Sequence, residues 1–266
     1  MSAPDRQQRI AALRDSIADI ERKPALAEAR TMVEKNAQGF PVLAGGLLQE
    51  VFTAERRNAG AVLGFALAQA RGLITEQRLA VIYLQLADEA QKLGMPYGPG
   101  LVSFGFDPEA LILVRPANMA ELLWAVEEAI ACRAVAAVVA DIGGHSKLLD
   151  FTASRRLSMR AASTGGSIFM LRYGEDREAS AAHLRWCLSP APSAQRRYDA
   201  KAPGPLRWRA QLERGTLIKQ TEWLLGWTEN GFSAIAARGR TDRFVSGTPL
   251  PRALPAHLAD RLPETA

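Results

Sequence analysis

The segment from Gly46 to Leu67 reads GLLQEVFTAERRNAGAVLGFAL, and it predicts a strand, a loop and a helix in succession. It begins with a short apolar run typical of a strand, residues 47–52, and continues through a polar, turn-prone loop. An apolar pattern with helical spacing follows from Ala61 onward. A strand that passes through a short loop into a helix is the unit in which many α/β proteins hold the phosphates of a nucleotide.

The loop departs from the phosphate-binding motif G-x-x-x-x-G-K-[ST] at each position whose chemistry matters. That motif needs glycines so that backbone N–H groups can wrap the phosphates, a lysine for the β- and γ-phosphates, and a hydroxyl for magnesium. The residues at these four positions are Thr53, Asn58, Ala59 and Gly60. We therefore expect a degenerate nucleotide site, with no catalytic residue, no cofactor and no metal, in a binding protein built on an ATPase scaffold.

The composition describes a globular protein and excludes several other classes. Of the 266 residues, 48% are hydrophobic and 23% are charged, and no apolar run reaches the length of a membrane span. Two cysteines without paired spacing predict a cytoplasmic protein, and three scattered histidines give no metal-ligand pattern. The net charge of +5 permits a nucleic-acid or acidic-protein partner. A GC-rich genome, which favours Arg and Ala codons, explains the same charge balance.

The chain divides into three predicted parts: an N-terminal helical segment (residues 1–44), a core (45–235) and a Pro/Arg-rich tail (236–266). In the first part, apolar residues recur at helical spacing in a charged context, which predicts an amphipathic helix. Its apolar stripe consists of Ile10, Leu13, Ile17 and Ile20. The stripe requires a partner surface, either on the same core or on another chain. The tail has little periodicity, and we expect it to be disordered or to act as a docking peptide.

The core alternates between strands and helices, and its strands are short and continuously apolar. This rhythm predicts an α/β fold with a central, mostly parallel, twisted sheet flanked by helices. The predicted parallel strands span residues 47–52, 79–86, 111–114, 136–141 and 167–171. The predicted helices span residues 61–71, 101–104, 118–131 and 152–162, and Asn118 with Glu121 forms a capping box. Period-two patterns at residues 183–188, 206–213 and 222–228 predict an antiparallel extension of the sheet.

Five segments, in the order in which they occur along the chain, resemble the RecA-like core, and more closely its ImuA/SulA-like branch. The resemblance covers residues 45–231. After GLLQEVF it includes PYGPGLVSFGFDPEALILVRPANMAELLWAVEEAI, AAVVADIGG, LDFTASRRLSMRAASTGGSIFMLR and LRWRAQLERGTLIKQTEWLLGW. AAVVADIGG falls where the Walker B strand falls in this superfamily. The resemblance therefore places Asp141 at the position of the acidic Walker B residue.

The resemblance implies a role in the DNA-damage response. ImuA-type proteins accompany an inactive Y-family polymerase homologue and an error-prone C-family polymerase in translesion mutagenesis. The resemblance thus implies a non-catalytic adaptor that joins these two partners, with RecA as a further candidate and any contact with DNA weak or indirect. It also implies a cytoplasmic protein that moves to the nucleoid at damage, and self-association stays open. Two alternatives are a DNA-dependent ATPase and a cell-division inhibitor of the SulA type.

Five arginines are candidates for contact with DNA or phosphate: Arg56 and Arg57 in the loop, and Arg155, Arg156 and Arg160 on the helix after the Walker B strand. The alternative for the helix is an ordinary solvated basic face. In RecA-like folds the loops after the fourth and fifth strands bind single-stranded DNA. The corresponding segments here, residues 142–149 and 172–180, are shorter, which argues against a filament-forming protein.

Asp141 has two possible roles. In an ATPase it would hold magnesium through water. Because Gly60 stands at the Ser/Thr position of the motif and offers no hydroxyl to share the ion, we expect Asp141 to act as a hydrogen-bonding residue at the end of its strand. For the tryptophans we expect core packing, and the alternation along a strand places Trp208 on the face opposite Arg207 and Arg209. The tryptophans are Trp124, Trp186, Trp208, Trp223 and Trp227.

Overall fold

The predicted α/β architecture is confirmed by a computed structural model, which describes residues 40, 43–194, 196, 198–199, 202–215, 222–228 and 231–235. Its nine strands form a single sheet in the order β3-β2-β4-β5-β1-β6-β7-β8-β9. The pairs from β3 to β6 are parallel, and the pairs from β6 to β9 are antiparallel. The antiparallel extension therefore lies at one side of the parallel sheet, as the sequence predicts.

The strands are β1 (Leu48–Thr53), β2 (Ala80–Gln85), β3 (Leu111–Val114), β4 (Val135–Gly143), β5 (Ser167–Tyr173), β6 (Leu184–Ala191), β7 (Arg207–Gly215), β8 (Glu222–Thr228) and β9 (Gly231–Ala234). The helices are α1 (Ala59–Arg71), α2 (Ala87–Leu93), α3 (Gly98–Ser103), α4 (Met119–Ala131) and α5 (Phe151–Thr164). Two short 3-10 turns, Arg56–Asn58 and Pro108–Ala110, precede α1 and β3.

Helices cover both faces of the sheet, and each face has its own core. On one face, α1 and the α3 region pack on the sheet around an aromatic group that includes Phe40, Phe65 and Trp186. On the other face, α4 and α5 pack through Leu122, Val126 and Leu157. All nine residues of β4 are buried, as expected for a strand in the middle of a parallel sheet.

Local signals in the sequence explain where two helices begin or end. The Asn118 side chain accepts the Glu121 backbone N–H at 3.0 Å and caps α4. The Glu121 carboxylate reaches back to the Ala117 N–H and the Asn118 side-chain amide, so the capping box closes one residue earlier than in its usual form. Gly165 ends α5 with a φ of 77°, a left-handed conformation that favours glycine.

Three features of the fold were not predicted. The sequence ADEAQKL forms α2, which is too short and too polar to show a clear helical period. The four residues of β9 complete the antiparallel extension. Trp124 was wrongly predicted as a core residue, because it is 66% exposed on the outer face of α4. Leu122, Val126 and Ile130 form the buried side of that helix, and Trp124 lies about half a turn away from Leu122.

Candidate functional site

The candidate site lies at the carboxyl ends of β1, β4 and β5, the edge at which open parallel sheets bind their ligands. Thr53, the last residue of β1, pairs with Tyr173 of β5. Asp141 of β4 pairs with Leu171 on one side and with Gln85 of β2 on the other. The sheet register therefore brings Thr53 and Asp141 to the same edge of the sheet.

The loop between β1 and α1 has the length of a phosphate-binding loop but a different backbone. It closes through a 3-10 turn in which the Asn58 N–H donates to the Glu55 carbonyl at 3.0 Å. The Asn58 side-chain amide donates to Thr53 Oγ1 at 3.2 Å, so two of the four motif positions bond to each other. No residue from 53 to 60 has a positive φ. The loop therefore lacks the left-handed residue with which a nest of N–H groups curls around an anion.

The two arginines of the loop are engaged with acidic neighbours. Arg56 forms an ion pair with Glu89, and its guanidinium lies 5.8 Å from the centre of the Tyr173 ring. Arg57 forms an ion pair with Glu55, with a nitrogen–oxygen distance of 2.5 Å. Both residues were predicted as phosphate contacts, and that role stays a prediction.

Asp141 is buried and accepts hydrogen bonds from two tyrosines. The carboxylate is 4% exposed, and its Oδ2 accepts the hydroxyls of Tyr83 and Tyr173, each at 3.2 Å. Burial raises the pKa of Asp141, and the two tyrosine hydrogen bonds offset part of that rise. Burial, together with the nearby carboxylate, also raises the pKa of each tyrosine, so both hydroxyls remain protonated donors. Asp141 is thus the hydrogen-bonding residue that the sequence suggests.

The space beside Asp141 is small. A cavity of about 170 Å³ lies between Asp141 and the first turn of α1, where Ala59 and Gly60 form part of its wall. Pockets that enclose a drug-sized molecule usually measure about 300–1,000 Å³. Among the described residues, no group of three or more His, Cys, Asp or Glu side chains could hold a metal ion.

The arginines of α5 divide into two groups. Arg156 and Arg160 face α4, where they contact the Glu127 carboxylate at 2.5 and 3.6 Å. Arg155 is exposed and has no ion-pair partner in the part of the chain that the structure describes. Ion pairs therefore hold four of the five arginines that were predicted to contact DNA or phosphate, and that role stays a prediction.

Sequence reasoning missed a buried charge network on the neighbouring strands. Glu50 of β1 is 1% exposed and accepts Arg185 Nε at 2.9 Å and the Ser180 hydroxyl at 2.8 Å. Arg172 of β5 is 4% exposed, lies 3.6 Å from Glu50, and donates to Glu178 at 2.8 Å. This network ties the loop of residues 174–183 to the sheet. The single sequence signal was a glutamate inside an apolar strand.

The loop of residues 174–183 is held at further points. Arg185 donates to the Glu178 carbonyl at 2.7 Å, and Arg214 donates to the Ser180 carbonyl at 2.8 Å. Arg177 forms a two-point contact with Glu213 of β7 at 2.8 and 3.1 Å. Arg177 and Glu178, two charged residues of the segment that follows the fifth strand, therefore make internal contacts.

Two predicted segments of the chain fall outside the residues that the structure describes. The predicted stripe Ile10, Leu13, Ile17 and Ile20 and the tail after Ala236 fall outside the described residues. Among the described residues, no helix is both long and apolar enough to cross a membrane.

The strand order, with β1 between β5 and β6 and a short loop leading from β1 into α1, is that of a RecA-like α/β protein. No family model matches the chain. Over 187 residues it is 32% identical to Protein ImuA from two strains of Caulobacter vibrioides, NA1000 / CB15N and ATCC 19089 / CIP 103742 / CB 15. The aligned part covers 66% of this chain and 72% of each relative. The chain belongs to the ImuA family.

The hydrogen bonds to Asp141 give a pH-dependent prediction. Tyr83→Phe removes one donor without changing the ring that fills the core, and we expect it to destabilise the fold by about 1.5–3 kcal/mol at pH 8. Because burial holds the pKa of Asp141 above its unfolded value, ionisation opposes folding as the pH rises. The lost donor stabilised the ionised form, so the destabilisation shrinks as the pH falls towards 4.

Thermal unfolding of the wild-type protein, Tyr83→Phe and Tyr97→Phe at several pH values checks this. Tyr97 is 73% exposed, so its variant is the matched control and should unfold like the wild-type protein. A Tyr83→Phe effect that is equal at all pH values would contradict the role given to Asp141.

Proposed function

We propose that this protein is a non-catalytic RecA-like adaptor in DNA-damage-induced translesion mutagenesis. In this role it joins an inactive Y-family polymerase homologue to an error-prone C-family polymerase, and RecA is a further candidate partner. The strand-loop-helix unit acts as a scaffold for protein contacts, and the nucleotide site formed by Thr53, Asn58, Ala59, Gly60 and Asp141 is degenerate. The protein works in the cytoplasm and reaches the nucleoid through its partners.

The observation that carries the proposal is the filled state of the site. Two positions of the phosphate-binding motif bond to each other, because the Asn58 side chain donates to Thr53. The position that would hold magnesium, Asp141, accepts hydrogen bonds from two tyrosines. Magnesium needs carboxylate oxygens with lone pairs to spare, and a phosphate needs free N–H groups or cations. Membership of the ImuA family supports the mutagenesis role, because the family resemblance implies these polymerase partners.

Contact with DNA is weak or indirect in this account. Phosphate-backbone binding gains its strength from several unpaired Lys or Arg side chains acting together. Arg56, Arg57, Arg156 and Arg160 would each have to leave an acidic partner to contribute. The adaptor therefore reaches damaged DNA mainly through the polymerases.

The proposed organisation has three parts: a helical segment (residues 1–44), the RecA-like core (45–235) and a tail (236–266). Deleting residues 240–266 from the full-length protein, followed by co-purification, tests whether the tail takes part in assembly. Loss of the complex would assign partner binding to the tail, whereas retention would assign it to residues 1–239.

Co-purification with the Y-family homologue tests the adaptor role. We expect a complex that survives gel filtration and does not depend on added ATP and magnesium, because no nucleotide-dependent element is needed to form it. The affinity tag is placed first on one protein and then on the other, so that each is tested for capture of its partner. A clean absence of complex in both directions, or a complex that requires ATP, would contradict the proposal.

A further inference from the structure

An apolar groove of about 400 Å³ lies between α1, α3 and the β6–β7 strands. Its walls include Gly60, Gly64, Tyr97, Leu101, Leu206 and Trp208, and we call it the α1–α3 groove. It adjoins the small cavity beside Asp141 but is more than twice as large and has few polar groups. An apolar depression of this size on a protein surface marks a site that another apolar group covers.

The rim of the groove exposes large apolar side chains. Tyr97 is 73% exposed and Leu206 is 52% exposed, although both line the groove. Met95 and Val102, in the segments next to Tyr97 and Leu101, are each 62% exposed. Concentrated exposure of this kind is unfavourable in water, so a covering segment would gain free energy from burying these side chains.

Two glycines keep the wall of α1 open. Gly60 and Gly64 lie one helical turn apart, and both line the groove. A Cβ added at Gly60 would meet no atom within 4 Å, and one added at Gly64 would meet only Trp208 Cζ2, at 3.6 Å. Glycine inside a helix costs about 1 kcal/mol relative to alanine, and neither added Cβ would clash with the described core. Their effect is to let another segment approach the α1 backbone closely.

The chain that precedes the described core joins it on the side where the groove lies. Phe40 is buried, and its ring packs 5.9 Å from the Phe65 ring of α1. Thirty-nine residues come before it, and they contain the predicted apolar stripe Ile10, Leu13, Ile17 and Ile20. A stripe of isoleucine and leucine matches a groove walled by apolar side chains and glycine.

We infer that the α1–α3 groove is the docking site of the N-terminal amphipathic helix of the same molecule. A random coil of 20 residues, the separation of Ile20 from Phe40 in the sequence, has an end-to-end distance of roughly 25 Å, and Gly60 lies only about 8 Å from Phe65 along α1. The connection gives the stripe an effective concentration in the millimolar range at the groove. A second copy of the chain at micromolar concentration would therefore compete poorly for the same site.

Docking within one molecule has a consequence for assembly. The stripe and the groove cover each other, so neither is a free adhesive surface. A partner that uses either one must first displace the intramolecular contact. This inference is independent of the adaptor role, since it concerns the chain alone.

Photo-crosslinking of the full-length protein tests the inference. A benzophenone amino acid is placed at Ile17, inside the stripe, and in a matched control at Asp15, on the opposite face of the predicted helix. Mass spectrometry of a mixture of light and heavy-isotope protein distinguishes adducts within one chain from adducts between chains. We expect the Ile17 probe, but not the Asp15 probe, to label residues of the α1–α3 groove within the same chain.

A variant that fills the groove completes the test. A Cβ at Gly60 meets no atom within 4 Å, so we expect Gly60→Trp to fold with its indole in the groove and to remove the intramolecular adduct. Ala120→Trp, on the exposed side of α4, is the matched control and leaves the adduct unchanged. Adducts elsewhere on the core, adducts between chains, or a groove adduct that persists in Gly60→Trp would each overturn the inference. Unfolding temperatures of both variants confirm that they are folded.

Discussion

Replacing Glu50 by alanine destabilises the protein by about 3–5 kcal/mol, the cost of removing one partner from a buried ion pair. For a protein of this length, such a loss lowers the unfolding temperature by roughly 6–20 °C. Thermal and urea unfolding of the purified variant measure it directly. Glu50→Gln keeps an acceptor for Ser180 and Arg185 but removes the charge, and it provides a measurement if the alanine variant does not accumulate.

The size of this effect follows from what Glu50 leaves behind. Arg172 and Arg185 are 4% and 7% exposed, and both lie against the Glu50 carboxylate. Burial already lowers the pKa of Arg172, and the nearby positive charge of Arg185 acts in the same direction. Without Glu50, two guanidinium groups share an apolar site around the Phe52 ring with too little negative charge.

Glu127→Gln is the matched control for this prediction. Glu127 is 14% exposed and also contacts two arginines, but Arg156 and Arg160 are about half exposed, so water can take over their solvation. Ion pairs with a solvated arginine contribute about 0–1 kcal/mol, and glutamine keeps the volume of the glutamate, so this variant should unfold close to the wild-type protein. Equal, small effects of Glu50→Ala and Glu127→Gln would show that the Glu50 network does not support the fold.

We expect the protein not to bind Mg-ATP at concentrations below about 1 mM. A dissociation constant above this value corresponds to a standard binding free energy weaker than roughly −4 kcal/mol. Ala59 stands at the lysine position, which removes a charge-assisted contact of about 1.5–3 kcal/mol. Gly60 supplies no hydroxyl for magnesium, and Asp141 Oδ2 already accepts two tyrosine hydroxyls. The losses act on different parts of the ligand and reinforce each other.

Much of the fold could be predicted because its signals are local. The apolar runs of β2 and β4 and the capping residue Asn118 are each visible within a few positions of the chain. The helical period of α4 also placed Trp124 outside the buried stripe, but its apolar neighbours suggested a core residue instead. The seven residues of α2 carry too few apolar positions to reveal a period.

The contacts of the candidate site could not be predicted, because they join distant parts of the chain. Asp141 meets Tyr83 and Tyr173 only because β4 lies between β2 and β5 in the sheet. Glu50 meets Arg185 across 135 positions of sequence, through the parallel pairing of β1 with β6. A single sequence indicates that Glu50 is an unusual residue for a buried strand, but its partners depend on strand order and register.

Titration of the full-length protein with fluorescent ATP and magnesium, with and without single-stranded DNA, measures whether the degenerate site still holds a nucleotide. A RecA-like ATPase in the same assay shows that the probe reports binding. We expect no saturable signal up to about 1 mM under either condition. Saturable binding at lower concentration that Asp141→Ala abolishes would show that the site is functional, and the protein would then be a nucleotide-regulated DNA binder or a DNA-dependent ATPase.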